Sequence, residues 1–168
     1  PFQWTKTIAS HLGGTRNGLV VTWPKRIGPA AGGIRSQFSH LNDITPTILE
    51  AVGIESPLEI DGVKQKPLDG VSMLYSFGDA KAPERHTTQY FEVFGNRAIY
   101  HNGWMASAFH GRLPWRAAAI NRRSFDEDRW ELYDLRKDFS QSRDLAKNNP
   151  SKLKELEALF ESEAARNL

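Results

Sequence analysis

Lys6 precedes the glycine pair Gly13-Gly14, which runs on into Thr15-Arg16, and His11 lies between them. An ammonium is a compact charge on a flexible stem, suited to holding an oxyanion. Paired glycines let a backbone approach a ligand, or itself, closely. Taken alone, the pair reads as an ordinary turn, the lysine as a solvated side chain, and Arg16 as a guanidinium stapling loop carbonyls. The five histidines, His11, His40, His86, His101 and His110, never fall at HxxxH spacing, so no helical metal site is built from this chain alone. The absence of cysteine removes thiol nucleophiles, CxxC redox pairs and thiolate zinc sites. No GxSxG elbow, P-loop or GxGxxG run is present, which takes away the usual local supports of acyl transfer and nucleotide binding.

The chain that must position these groups has 168 residues. A globule of that length buries about 70% of the surface its unfolded chain exposes, enough for a core without staples. Lys and Arg number 22 against 20 Asp and Glu, leaving +2, so no nucleic-acid partner is expected. No apolar run approaches the ~20 residues that span a bilayer, and no membrane partner is expected. Pro1-Phe2-Gln3-Trp4 opens the chain without an initiator Met or targeting segment, which reads as a cut inside a longer polypeptide. The compartment stays open between periplasm and cytoplasm.

Leu19 to Trp23 is apolar and β-branched and ends at Pro24, the pattern of a buried strand fed by the glycine loop. Ile44, Ile48 and Val52 share one helical face, with Asp43 as cap, Pro46 in the first turn and Gly53 closing the helix. Residues 55–83 lack periodicity and read as an irregular connection with a turn at Asp69-Gly70. Gln89 to Val93, Arg97 to Tyr100 and Trp104 to Ala108 then form an antiparallel meander, turned at Gly95-Asn96 and Asn102-Gly103. Residues 112–128 read as a long loop, and Trp130 to Leu135 as a further strand of the same sheet. A terminal helix follows: Asn149 caps, Pro150 takes the first position, and Leu153, Leu156, Leu159, Phe160 and Ala164 form its apolar stripe.

Lys6, Gly13-Gly14-Thr15-Arg16, the segment ending Trp23-Pro24, Asp43-Ile44-Thr45-Pro46-Thr47-Ile48-Leu49 with Gly53-Ile54, Asp69-Gly70-Val71-Ser72-Met73, Gly95-Asn96-Arg97-Ala98-Ile99, and Trp130-Glu131-Leu132-Tyr133-Asp134-Leu135 with Asp144-Leu145-Ala146 occur in one order. That order resembles the C-terminal portion of the type I, arylsulfatase-like sulfatases of the alkaline phosphatase superfamily. The resemblance implies an α+β chain: residues 1–83 as the end of the large α/β domain with its irregular connection, and 84–168 as a small antiparallel sheet with a C-terminal helix packed on it.

The resemblance also implies a sulfuric ester hydrolase with a formylglycine nucleophile and calcium, both supplied by the missing N-terminal part of the same chain. On that pattern Lys6 contacts the sulfate group of a sulfate ester substrate, and His11 is a candidate substrate-binding residue. Ser162-Glu163-Ala164-Ala165-Arg166 matches the aldehyde-forming frame only by chance, at the wrong end of the chain, and Lys81-Ala82-Pro83-Glu84-Arg85 imitates it with lysine first. No cofactor or metal site is therefore expected in this piece, which should be inactive alone and self-associate. Two other readings remain: a phosphonate or phosphodiester hydrolase of the same superfamily, and a noncatalytic module gripping a glycan or protein with Trp104, Trp115 or Trp130.

Overall fold

The computed structural model describes residues 2–28, 32–111 and 123–167. The chain divides into two compact units, one made of Pro1–Gly18 with Thr87–Leu168, the other of Leu19–His86. The first eighteen residues thus group with the C-terminal sheet.

In the first unit, α1 (Leu12–Thr15) is a single helical turn where the sequence suggests a loop. Four antiparallel strands follow in sequential order: β3 (Thr88–Val93), β4 (Asn96–His101), β5 (Trp104–Ala108) and β6 (Trp130–Asp134), the meander expected from the alternation. The β4–β5 turn is Asn102-Gly103, with φ of 48° and 80°. Both values are positive, as a type I′ turn demands. The β3–β4 turn sits one residue earlier than expected, at Phe94-Gly95, because the positive φ values of 54° and 83° fall there and Asn96 already pairs with Val93.

Helix α5 (Pro150–Asn167) starts at the expected Asn-Pro boundary. It packs the sheet through Leu156 and Phe160, which bury with Ile99, Ala106 and Leu132; Leu153, Leu159 and Ala164 flank this core. Phe160 stacks on Tyr90 at 4.9 Å and meets Trp130 edge-on at 5.3 Å. Of the long loop expected before β6, residues 112–122 lie outside the described residues, and Phe125–Glu127 forms a 3-10 turn closed by a Ser124–Glu127 capping box.

In the second unit, Leu19 to Trp23 does not form the expected strand. It runs exposed from Leu19 to Thr22, with Val20 at 90%, and passes through the half-buried Trp23 into the short helix α2 (Pro24–Ile27). β-Branched residues make a strand only against a partner, and no strand of this unit pairs with them among the described residues. Helix α3 (Ile44–Val52) has the expected bounds and ends on Gly53 at φ 72°. Along it Thr47 is buried, while Ile48 and Val52 are exposed.

The connection from 55 to 83 is more ordered than expected. It contains a two-residue hairpin, β1 (Glu59–Ile60) with β2 (Val63–Lys64), and a one-turn helix α4 (Leu74–Phe77). Its tight turn is Asp61-Gly62, with φ of 50° and 80°, rather than Asp69-Gly70. Gly70 serves a different need: a Cβ there would lie 2.0 Å from the Asn42 carbonyl oxygen.

Candidate functional site

Lys6 is exposed in a turn from Thr5 to Ile8, closed by the Ile8 N–H donating to the Thr5 carbonyl at 3.2 Å. Two non-glycine residues beside it, Trp4 and Thr7, have φ of 65° and 71°. Such backbone persists only where its surroundings over-determine it. The glycine pair provides part of that restraint. Gly13 donates its N–H to the Gln3 carbonyl at 3.1 Å, and a Cβ at Gly13 would lie 2.1 Å from that oxygen. A Cβ at Gly14 would lie 2.0 Å from the Ile8 carbonyl oxygen. The glycines therefore let residues 3–8 fold onto α1.

The rest of the restraint comes from the sheet. His11 is 1% exposed, with Nδ1 2.9 Å from the Ser10 hydroxyl and Nε2 3.1 Å from Oε2 of Glu131 on β6. Glu131 also accepts a hydrogen bond from the Tyr133 hydroxyl at 3.0 Å. A carboxylate with two donors assigns the His11 proton to Nε2, leaving Nδ1 to accept from Ser10. The His11 hydrogen bond holds the Glu131 carboxyl below the usual range, against the opposing effect of burial. Burial first, then the adjacent carboxylate, pushes the Tyr133 hydroxyl up.

Gln141 is a second tether. It is fully buried at φ 58°; its Oε1 accepts from the Leu12 N–H at 2.7 Å, and its amide nitrogen donates to the Ser107 hydroxyl at 3.2 Å. Its carbonyl accepts from the Gln3 side chain. Arg16 does staple this region, but through aromatic faces instead of carbonyls: its guanidinium lies 5.2 Å from the Phe2 ring centroid and 5.7 Å from that of Phe139.

The structure thus places the two expected site residues differently. Lys6 is presented outward on a braced turn, whereas His11 is sealed inside and engaged at both ring nitrogens. Glu131 and Gln141, which no local pattern singled out, do the bracing. Glu131 has one sequence-level sign, a charge beside the core residue Leu132, whereas Gln141, between Ser140 and Ser142, has none.

Among the described residues no three His, Asp or Glu side chains gather as metal ligands. Ser162 lies exposed on α5. Trp104 and Trp130 do not form an open row: both are half-buried, Trp104 beneath the Arg136 guanidinium and Trp130 against Phe160 and Arg97. Trp115 lies outside the described residues. No helix among the described residues is long and apolar enough to cross a membrane.

No protein-family model matches the sequence. Solved structures do. One, described under the metabolism of multiple glycosaminoglycans by Bacteroides thetaiotaomicron, aligns with 92% of this chain at TM-score 0.62 and 20% identity, over 30% of its own length. The structure of Ps i-CgsB in complex with k-i-k-neocarrahexaose aligns with 92% of this chain at TM-score 0.63 and 23% identity, again over 30% of its length. A third, in complex with its substrate D-glucosamine-2-N,6-O-disulfate, aligns with 79% at TM-score 0.51 and 20% identity, over 25% of its length. The chain therefore spans 25% to 30% of the length of the proteins it resembles. In fold, it corresponds to the C-terminal portion of sulfatases.

Proposed function

We propose that this chain is the C-terminal portion of a sulfuric ester hydrolase of the arylsulfatase-like type. Residues 1–83 then complete its large α/β domain, and 84–168 form its small C-terminal domain. The observation that carries this reading is the likeness of 92% of the chain to less than a third of each of two sulfatase structures. The braced, exposed Lys6 stands where the motif order implies a sulfate-contacting lysine.

On this reading Lys6 supplies one point charge to the compact anion, and nucleophile and calcium come from the rest of the parent protein. The ammonium stabilises charge on the sulfate oxygens as the ester bond breaks, the preorganised electrostatic help on which such transfers depend. The substrate class is a sulfate monoester, with a sulfated saccharide favoured by the disulfated glucosamine named as substrate of one similar structure and the oligosaccharide bound in another. On this reading the chain by itself is inactive, because the nucleophile and calcium belong to the rest of the parent protein.

The test is turnover of an aryl sulfate and the matching phosphate ester, with calcium, by the longer protein that carries this segment, its Lys6→Ala variant and the 168-residue chain. Sulfate ester turnover by the parent, a fall of roughly 10²-fold or more in the variant, and none by the chain alone are expected. Preference for the phosphate ester would move the parent to the phospho-hydrolase branch, and turnover by the chain alone would refute its dependence on a missing part.

A further inference from the structure

We infer that Glu131, acting through His11, is a positioning residue for the Lys6 turn, so that a side chain of the small sheet fixes where that ammonium stands. The functional importance of this rests on the reading of Lys6 as the sulfate contact; the mechanical claim does not.

The route is continuous. Glu131 holds the buried His11 ring at 3.1 Å. The His11 carbonyl accepts the Gly14 N–H at 2.9 Å, and Gly14 lies against the carbonyl of Ile8, the residue whose N–H closes the Lys6 turn on Thr5. Gly13 meanwhile holds the Gln3 carbonyl on the other side of that turn. A shift of the His11 ring is thus passed to both ends of the segment bearing Lys6. Trp4 and Thr7, at φ 65° and 71°, would relax toward ordinary backbone once released.

Glu131 itself is an odd residue for its place. It pairs in register with Ser107 on β5, beside the buried Leu132, and its carboxylate is 29% exposed. A partly desolvated carboxylate is costly unless hydrogen-bonded. The donors that satisfy it are Tyr133, two residues away on the same strand, and His11, 120 residues away in sequence.

Amide hydrogen exchange on the 168-residue chain, read by NMR, tests this. In Glu131→Ala the Ile8, Gly13 and Gly14 amides should exchange roughly tenfold faster or more, while the β4–β5 ladder around Ile99 and Ala106 keeps its protection. Glu131→Gln, whose amide oxygen still accepts from Nε2–H, should recover most of the loss. If Glu131→Ala does not fold, Glu131→Asp keeps the charge but withdraws it by one methylene, and the same local loosening is expected. Unchanged turn amides, equal loosening of turn and sheet, or a Gln variant as loose as Ala would overturn the inference.

Sodium sulfate titrated against the Lys6 side-chain resonances separates the two claims. The wild-type chain should respond more strongly than Glu131→Ala. A wild-type Lys6 indifferent to sulfate, alongside selective loosening in the variant, would remove the sulfate reading while leaving the positioning role supported.

Discussion

The Asp43 carboxylate and the His86 imidazole meet at 2.7 Å inside the second unit, both side chains buried. Asp43 does not cap α3 with its side chain, as the sequence suggests; it accepts instead from the backbone N–H groups of His40 and Val71, each at 2.7 Å. One carboxylate therefore joins the start of the 3-10 turn before α3, the segment after Gly70, and the end of the unit at His86. Thr47 adds a parallel link, donating to the Asp43 carbonyl at 2.6 Å and accepting from the Met73 N–H at 2.8 Å. Asp43→Asn keeps the shape but turns half of the acceptor into a donor. It should cost about 2–4 kcal/mol, since buried donors lose their partner. Urea unfolding checks this, and a loss under about 0.5 kcal/mol would mean that the node is dispensable.

The same carboxylate sets a pH dependence. Burial by itself would raise the Asp43 pKa, but hydrogen bonds from His86, His40 and Val71 prevail and hold it below the ordinary range. A folded value below the unfolded one, about 3.9, means that the contribution is complete above that pH and drains away as pH falls through the folded value. Glu131, also lowered, acts in the same direction. Acid titration by circular dichroism should show unfolding that begins below about pH 4 in the wild type, with a shallower pH slope in Asp43→Asn. Equal slopes would contradict the assignment.

What was legible in the chain follows from the range of the forces involved. Asn102-Gly103 and the flanking alternation announce the β4–β5 hairpin, because turn type and strand period are local. Asn149-Pro150 and the stripe through Leu156 and Phe160 announce α5 for the same reason. Leu19 to Trp23 has strand-forming residues but no partner strand among the described residues of its unit, so propensity alone misleads. The β1–β2 hairpin is invisible because two-residue strands carry no period. At the site, motif order draws attention to Lys6, but nothing local points to the roles of Glu131 and Gln141, since their bonds to His11 and Leu12 close loops of 120 and 129 residues.

Gly13 and Gly14 should tolerate no side chain. Added Cβ atoms would meet backbone oxygens at 2.1 and 2.0 Å, and backbone yields less readily than a flexible side chain. Gly13→Ala and Gly14→Ala should each cost about 1–3 kcal/mol and displace the Lys6 turn. Chemical-shift changes confined to residues 3–16 would match this. Wild-type stability with unshifted turn resonances would show that the close approach is not needed.

Arg97 lies over three rings, Phe125, Trp130 and Phe160, at 4.6, 5.3 and 5.9 Å, while its Nη2 contacts Asp128 at 2.6 Å. Asp128 also faces His110 at 2.8 Å and Arg123 at 2.6 Å, with its own side chain fully buried. A planar guanidinium can stack and bond at once; an ammonium cannot. Arg97→Lys should therefore lose about 1–2 kcal/mol although charge is conserved. Asp128→Ala should lose more, about 3–5 kcal/mol, by stranding a buried cation. If thermal unfolding finds the lysine variant unchanged, stacking contributes nothing here.

The second unit leaves apolar surface in water: Leu19, Val20 and Val21 at 53%, 90% and 43% exposure, and Ile48, Val52 and Ile54 on or just after α3 at 57%, 60% and 58%. Single exposed apolar residues are ordinary, but runs and helix faces of them favour association. The 168-residue chain should therefore bind ANS and show concentration-dependent light scattering. Ile48→Glu with Val52→Glu should reduce both while leaving the fold intact, because neither residue is buried. The first unit offers the contrast, since its helix α5 turns its stripe onto the sheet. A clean, ANS-silent monomer at high concentration would mean that these faces are satisfied within the chain itself.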